Sequence, residues 1–217
     1  DQLLAQKPKS LILIEKDNIL LENLKIKYKK FKQVKIYNDD ILKFNLEEKL
    51  QKDTIIFGNL PYNISSQILT KIIRIKTNPA RFLYLVFMFQ KEMAARIIGK
   101  FGTPEYGRLS ILTNYKLNIL SKFNVSPNCF FPKPKIISTV LYIKPKKTIK
   151  NKIDNINNLE KVTNILFSNR RKMINKNIKK ILDKKQISYI EDLNLECRPS
   201  NLKPEKYYEI TKIFEKK

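Results

Sequence analysis

Asn59-Leu60-Pro61-Tyr62 sets a side-chain amide, a ring-locked backbone and an aromatic face side by side, directly after the apolar run Ile55-Ile56-Phe57 and Gly58. A β-branched run that breaks at Gly-Asn-x-Pro predicts a buried strand ending in a tight, rigid turn. At the carboxyl end of a strand in an α/β sheet, such a turn opens onto the crevice where ligands bind. The amide and the carbonyls that Pro61 holds in a fixed arc can accept N–H bonds, and Tyr62 offers a ring to stack on. Together these parts can grip a planar heterocycle that bears an exocyclic amine. An ordinary β-turn after a core strand uses the same residues, so the surrounding elements have to decide.

Those elements alternate. Asp1 to Gln6 reads as the tail of a helix closed by Lys7-Pro8-Lys9, so the start of the chain looks cut. Leu11-Ile12-Leu13-Ile14 predicts a fully apolar strand ending at Glu15-Lys16-Asp17, and an amphipathic helix follows from about Ile19 to Tyr28. Leu20, Leu21, Leu24 and Tyr28 share one face of that helix. Val34 to Tyr37 is the next strand, ending at Asn38-Asp39-Asp40, and Thr54 to Phe57 is the third. Ile68, Leu69, Ile72 and Ile73 mark a helix that Ser65 or Ser66 can cap. Phe82 to Phe89 predicts a long buried strand, Gln90 to Lys100 a helix, 102–107 a loop and Leu109 to Tyr115 another helix. Leu117 to Phe123 and Ser138 to Ile143 can pair as a terminal antiparallel hairpin around the loop Pro127 to Pro134.

Apolar strands alternating with amphipathic helices argue for a doubly wound, mostly parallel sheet. Its successive strand ends at Glu15, Asp40 and Asn59 then line one crevice, the place for a cofactor. After Pro145 the pattern turns helical, behind a basic linker over 144–152. Leu159, Val162, Ile165 and Leu166 form one face; Ile174, Ile178, Ile181 and Leu182 form another beside a cluster of basic residues. Pro204 opens a last helix with Tyr207, Ile210, Thr211 and Phe214 inward, although Lys203 is a poor N-cap. The expected division is 1–145 and 146–217.

Composition narrows the chemistry. A net charge of +24 over 217 residues favours a polyanion, most simply nucleic acid. Histidine is absent, which removes histidine general bases, serine-type triads and nearly all zinc or iron sites. No metal is expected. Cys129 and Cys197 make neither a CxxC pattern nor a disulfide framework, as expected of reduced thiols in a cytosolic protein. No apolar run approaches the length of a membrane span and no signal peptide is visible. The expectation is a cytoplasmic monomer without a membrane partner.

The pieces together resemble the small-subunit (16S) rRNA adenine dimethyltransferase family, the kasugamycin-resistance methyltransferases. The stretches that carry the resemblance are Leu13-Ile14-Glu15-Lys16-Asp17, Asn38-Asp39-Asp40, Asn59-Leu60-Pro61-Tyr62-Asn63-Ile64-Ser65, Gln90-Lys91-Glu92, Tyr106-Gly107-Arg108-Leu109-Ser110, Phe130-Phe131-Pro132-Lys133-Pro134-Lys135 and Asn169-Arg170-Arg171-Lys172. They occur in the family's order along essentially the whole chain. The resemblance implies a Rossmann-like methyltransferase fold, with an antiparallel terminal hairpin and a small all-helical C-terminal domain. It also implies S-adenosylmethionine as cofactor and 16S rRNA in an immature small ribosomal subunit as partner.

Residue by residue, the resemblance implies that Glu15 holds the cofactor's ribose hydroxyls and Asp40 accepts from the amino group of its adenine. Asn59 would sit beside both the methyl donor and the target amine, and Tyr62 and Phe130 would sandwich the target adenine. Arg108, Arg170, Arg171, Lys172, Lys176 and Lys180 would face RNA, the last five clustering around one helix. Asn59 and the carbonyl of either Leu60 or Pro61 would accept both amine N–H bonds and expose the nitrogen lone pair. The family's Gly-rich turn has no counterpart, because glycine occurs only at 58, 99, 102 and 107. A chain cut before that turn would lack part of its cofactor cradle, so an inactive fragment of an active parent is one outcome the sequence allows.

Two other readings compete. Phe130 to Lys135 also looks like the macrolide-resistance dimethyltransferases that act on large-subunit rRNA, whereas Asn169 to Lys172 and the ending near Arg198 favour the small-subunit group. A non-catalytic ribosome-assembly protein with a vestigial site is the other, favoured by the lack of the Gly-rich turn.

Overall fold

A computed structural model describes residues 1–51, 53–75, 82–149 and 151–216. Lys150, within the expected linker, and the terminal Lys217 lie outside the described residues. The chain divides into two compact units, Asp1–Lys49 and Leu50–Lys217, each of which is described by itself.

In the first unit a short helix α1 (Gln2–Ala5) precedes strand β1 (Leu11–Glu15), helix α2 (Asn18–Tyr28), strand β2 (Val34–Asn38) and helix α3 (Leu46–Lys49). β1 and β2 run parallel, with Leu11 opposite Val34 and Glu15 opposite Asn38, so both carboxyl ends lie at one edge of the pair. Asp17 starts α2 by accepting from the amides of Ile19 and Leu20, each at 2.9 Å, which satisfies donors that have no partner within the helix. Only Leu21 of α2 is buried, with Leu24 and Tyr28 half-buried. Leu20 does not join that face and is 53% exposed.

The second unit carries β3 (Thr54–Asn59), α4 (Ser65–Arg74), β4 (Phe82–Gln90), α5 (Lys91–Ile98), α6 (Arg108–Lys116), β5 (Leu117–Val125) and β6 (Ser138–Pro145). Its sheet has the order β3-β4-β6-β5. β3 and β4 are parallel, whereas β6 is antiparallel to both β4 and β5, so the terminal hairpin forms as expected. The single mostly parallel sheet does not form among the described residues. They hold two sheets, with as many antiparallel ladders as parallel ones.

The centre of the second sheet is dry: Leu85, Phe87 and Phe89 of β4 and Leu141 and Ile143 of β6 are buried. β3 is not the buried strand its sequence predicts. It lies at the edge of this sheet and its burial alternates, leaving Ile55 45% and Phe57 50% exposed. A strand buried on one face alone gives this period of two. α4 buries Ile68, Leu69, Ile72 and Ile73 as expected, but neither Ser65 nor Ser66 caps it. Ile64 occupies the cap position, and the Ser65 hydroxyl instead donates to the Tyr62 carbonyl at 3.1 Å.

The remaining helices are α7 (Ile156–Phe167), α8 (Asn175–Ile178), α9 (Lys184–Ser188) and α10 (Pro204–Glu215). Leu159, Val162 and Leu166 of α7 are buried, and so are Ile174, Ile178, Ile181 and Leu182 around α8. α10 turns Tyr207, Tyr208, Ile210 and Thr211 inward, and Lys203 makes no cap bond. Tyrosines join this segment to the rest of its unit. Tyr106 donates to the Leu202 carbonyl at 2.8 Å, Tyr208 to that of Ile111 at 3.2 Å, and Tyr115 accepts from the Ile153 amide at 2.6 Å. Burial pushes all three phenols up.

Candidate active site

At the carboxyl end of β1 the chain doubles back on Glu15, whose Oε1 accepts from the amides of Lys16 and Asp17 at 2.7 and 2.8 Å. This bracing fixes the carboxylate while Oε2 accepts from none of the described residues. At the end of β2, Asp40 accepts from the Leu42 amide at 2.9 Å and from Lys16 Nζ at 3.0 Å. The Leu42 amide and then Lys16 hold its carboxyl below the usual carboxylate range, so Asp40 is an acceptor at neutral pH. The parallel pairing thus brings both acids to one edge of the first unit. A carboxylate oxygen open to hydroxyls and an ionised acceptor for an amine fit the ribose and adenine of S-adenosylmethionine. Sequence reasoning assigned Lys16 no role, although it bridges the two acids.

In the second unit, Asn59 ends β3 and is exposed, its amide engaged by none of the described residues. The turn behind it is rigid for visible reasons. A Cβ at Gly58 would come within 2.5 Å of Leu60 Cδ2 and 2.9 Å of the Phe87 ring, so any larger residue would have to displace one of these side chains. Pro61 O accepts from the Ile64 amide at 3.1 Å. The Leu60 carbonyl has no such partner among the described residues, which distinguishes the two carbonyls that the sequence left equivalent.

Tyr62 is half-buried and its hydroxyl lies 2.7 Å from Ser138 Oγ. Ser138 is fully buried at the start of β6, where it pairs with Gln90 and Val125. Phe130 follows a 3-10 turn at Pro127–Cys129 and is half-buried, and the Phe131-Pro132 bond after it is cis. Ser138 was not anticipated, since its partner lies 76 residues away. One hydrogen bond contributes about 0.5–1.5 kcal/mol net, so Ser138→Ala should slow turnover by roughly 2- to 10-fold. In a Tyr62→Phe background the same change should have almost no further effect. Steady-state rates of the single and double variants check this.

The basic residues do not surround one helix. α8 covers only Asn175–Ile178, while Arg170, Arg171 and Lys172 occupy the turn after α7 and Lys180 follows α8. All six expected RNA-facing residues are exposed, Arg108 as the first residue of α6. Arg170 also makes contacts within the protein, where its Nη2 donates to the carbonyls of Pro104 and Tyr106 at 2.6 and 3.0 Å. It therefore tethers the 102–107 loop.

The ribosomal RNA adenine dimethylase family matches residues 1–216. This chain belongs to that family. Similarity extends to the ribosomal RNA small subunit methyltransferase A of Pelagibacter ubique, 43% identical over 98% of this chain and 80% of that protein. The protein of the same name from Malacoplasma penetrans is 38% identical over 95% of this chain and 74% of its own length. Two solved structures share the fold. A Plasmodium falciparum dimethyladenosine transferase has a TM-score of 0.75 at 24% identity, covering 93% of this chain and 80% of that one. The 23S rRNA methyltransferase ErmE has a TM-score of 0.68 at 17% identity, covering 99% and 85%. The dimethylase family uses S-adenosylmethionine, and with membership the chain is an S-adenosylmethionine-dependent rRNA methyltransferase. No helix among the described residues is long and apolar enough to cross a membrane.

Proposed function

We propose that this dimethylase places two methyl groups on N6 of adenine in 16S rRNA of an immature small ribosomal subunit, as a cytoplasmic monomer. The observation that carries the reading is the exposed Asn59 amide on a braced turn next to Tyr62, in a chain so similar to small-subunit methyltransferases. Likeness to ErmE supports the fold alone. In this reading residues 1–145 are catalytic and the helical segment 146–217 binds rRNA.

S-adenosylmethionine, when bound, supplies an electrophilic methyl carbon on a sulfonium. Glu15 holds its ribose hydroxyls and Asp40 its adenine amine. The target amine is a poor nucleophile because its lone pair is delocalised into the ring. Asn59 Oδ1 and the Leu60 carbonyl accept its two N–H bonds, which draws the nitrogen towards a tetrahedral shape and exposes the lone pair. Pro61 keeps that carbonyl in place, and the same dipoles meet the positive charge that develops on nitrogen. Tyr62 and Phe130 hold the ring after it leaves its stack. Alignment accounts for most of the acceleration, and no dedicated general base is required.

The test is methyl incorporation from radiolabelled S-adenosylmethionine into unmodified small and large subunits. Dimethyladenine in small-subunit rRNA is the expected product. Incorporation into large subunits alone, or into neither with cofactor bound, overturns the reading.

A further inference from the structure

Two clefts of the second unit adjoin, because Arg96, Glu105 and Arg170 line both. One, of about 410 Å³, lies among α4, α5, α6 and α7 and includes Arg108. The other, of about 830 Å³, follows α5 from Lys91 to the strand entry at Lys135, Ile136 and Ile137. Ile137 accepts from the Lys91 amide at 3.0 Å and directly precedes Ser138, the partner of Tyr62. The joined trough therefore runs from Ile137, next in sequence to the partner of Tyr62, through the junction at Arg96 and Arg170, where the basic turn Arg170-Arg171-Lys172 starts, to the cleft among α4, α6 and α7.

Its charge is unbalanced. Lys91, Arg96, Arg108, Lys135 and Arg170 face Glu92, Glu105 and Glu160, and Glu160 is already neutralised by Arg74 at 2.6 and 2.7 Å. Arg170 directs Nη2 at two carbonyls. Arg96 is exposed in the last turn of α5, and no described residue engages it in a hydrogen bond or ion pair. It is thus the basic residue common to both clefts whose whole guanidinium fork is open to a ligand. A planar fork of this kind suits phosphate oxygens.

We infer that this trough carries the sugar–phosphate backbone of the RNA strand leading to the target base, and that Arg96 binds a phosphate at its midpoint. The inference rests on the rRNA methyltransferase reading and adds a path between the base-gripping turn and the helical segment.

The experiment uses the whole protein and unmodified small subunits. Arg96→Gln should raise KM roughly 10-fold, as expected for a lost charged hydrogen bond, with kcat almost unchanged. The slope of log affinity against log salt should fall by about one unit. Arg96→Lys should restore the slope but only part of the affinity. S-adenosylmethionine binding, followed by calorimetry, should be the same in all three proteins. In the wild type, small subunits should shield Arg96 from phenylglyoxal, a readout independent of any variant's folding. An unchanged salt slope in Arg96→Gln, or modification of Arg96 undiminished by subunits, overturns the trough. Shielding without methyl transfer would sustain the trough and defeat the methyltransferase reading, so the two failures are distinguishable.

Discussion

Asn59→Ala is expected to slow methyl transfer to small-subunit rRNA by about 10²- to 10³-fold, the usual cost of removing one preorganised dipole from a reacting centre. Affinity for the subunit should change by less than about twofold, because one side chain is a minor part of a contact dominated by phosphates. The structure makes this separation clean. Asn59 is exposed at the end of β3 and no described residue depends on its amide. Leu60 is buried, and Gly58 and Phe87 pack around it, so the turn persists without the Asn59 side chain. Asn59→Asp tests the acceptor more finely. It keeps an oxygen but adds a negative charge, so the rate should fall less than with alanine. Single-turnover rates paired with filter binding decide the matter, and equal losses in rate and binding would contradict the assignment.

What could be read from the sequence was what local pattern controls. The apolar runs at 11–14, 34–37 and 82–89 mark their strands within a residue or two, because β-branched and aromatic side chains suit a pleated, packed surface. The turn at Asn59 to Tyr62 was legible because its signal is also local: glycine frees the backbone and proline fixes it. Position within a sheet is not local. β3 reads as a buried strand but lies at an edge with Phe57 exposed. Nor does composition separate a capping serine from one that bonds a carbonyl, as Ser65 does. The Tyr62–Ser138 and Arg170–Tyr106 contacts, 76 and 64 residues apart, leave no signal at either end. The turn and the strand ends were therefore visible in advance, and much of the bracing around them was not.

The cofactor half offers the second large effect. Glu15→Gln should weaken S-adenosylmethionine binding by roughly 10²-fold, since hydrogen bonds to a charged group contribute about 1.5–3 kcal/mol each. The reason lies in the two amides that brace the carboxylate. Lys16 and Asp17 both point N–H groups at Oε1. A glutamine must turn its single oxygen towards them, since its NH2 group there would set donor against donor. That leaves the NH2 group in place of Oε2, presenting donors to ribose hydroxyls that need an acceptor. The fold should tolerate the change, because the amides keep their partner and the side chain is only half-buried. Asp40→Asn should act more weakly, as the Leu42 amide still orients the group while the Lys16 ion pair is lost. Calorimetric titration of the two variants with S-adenosylmethionine, alongside their thermal transitions, measures both effects. Equal affinity in Glu15→Gln and wild type would remove Glu15 from the cofactor site, whatever the outcome at Asn59.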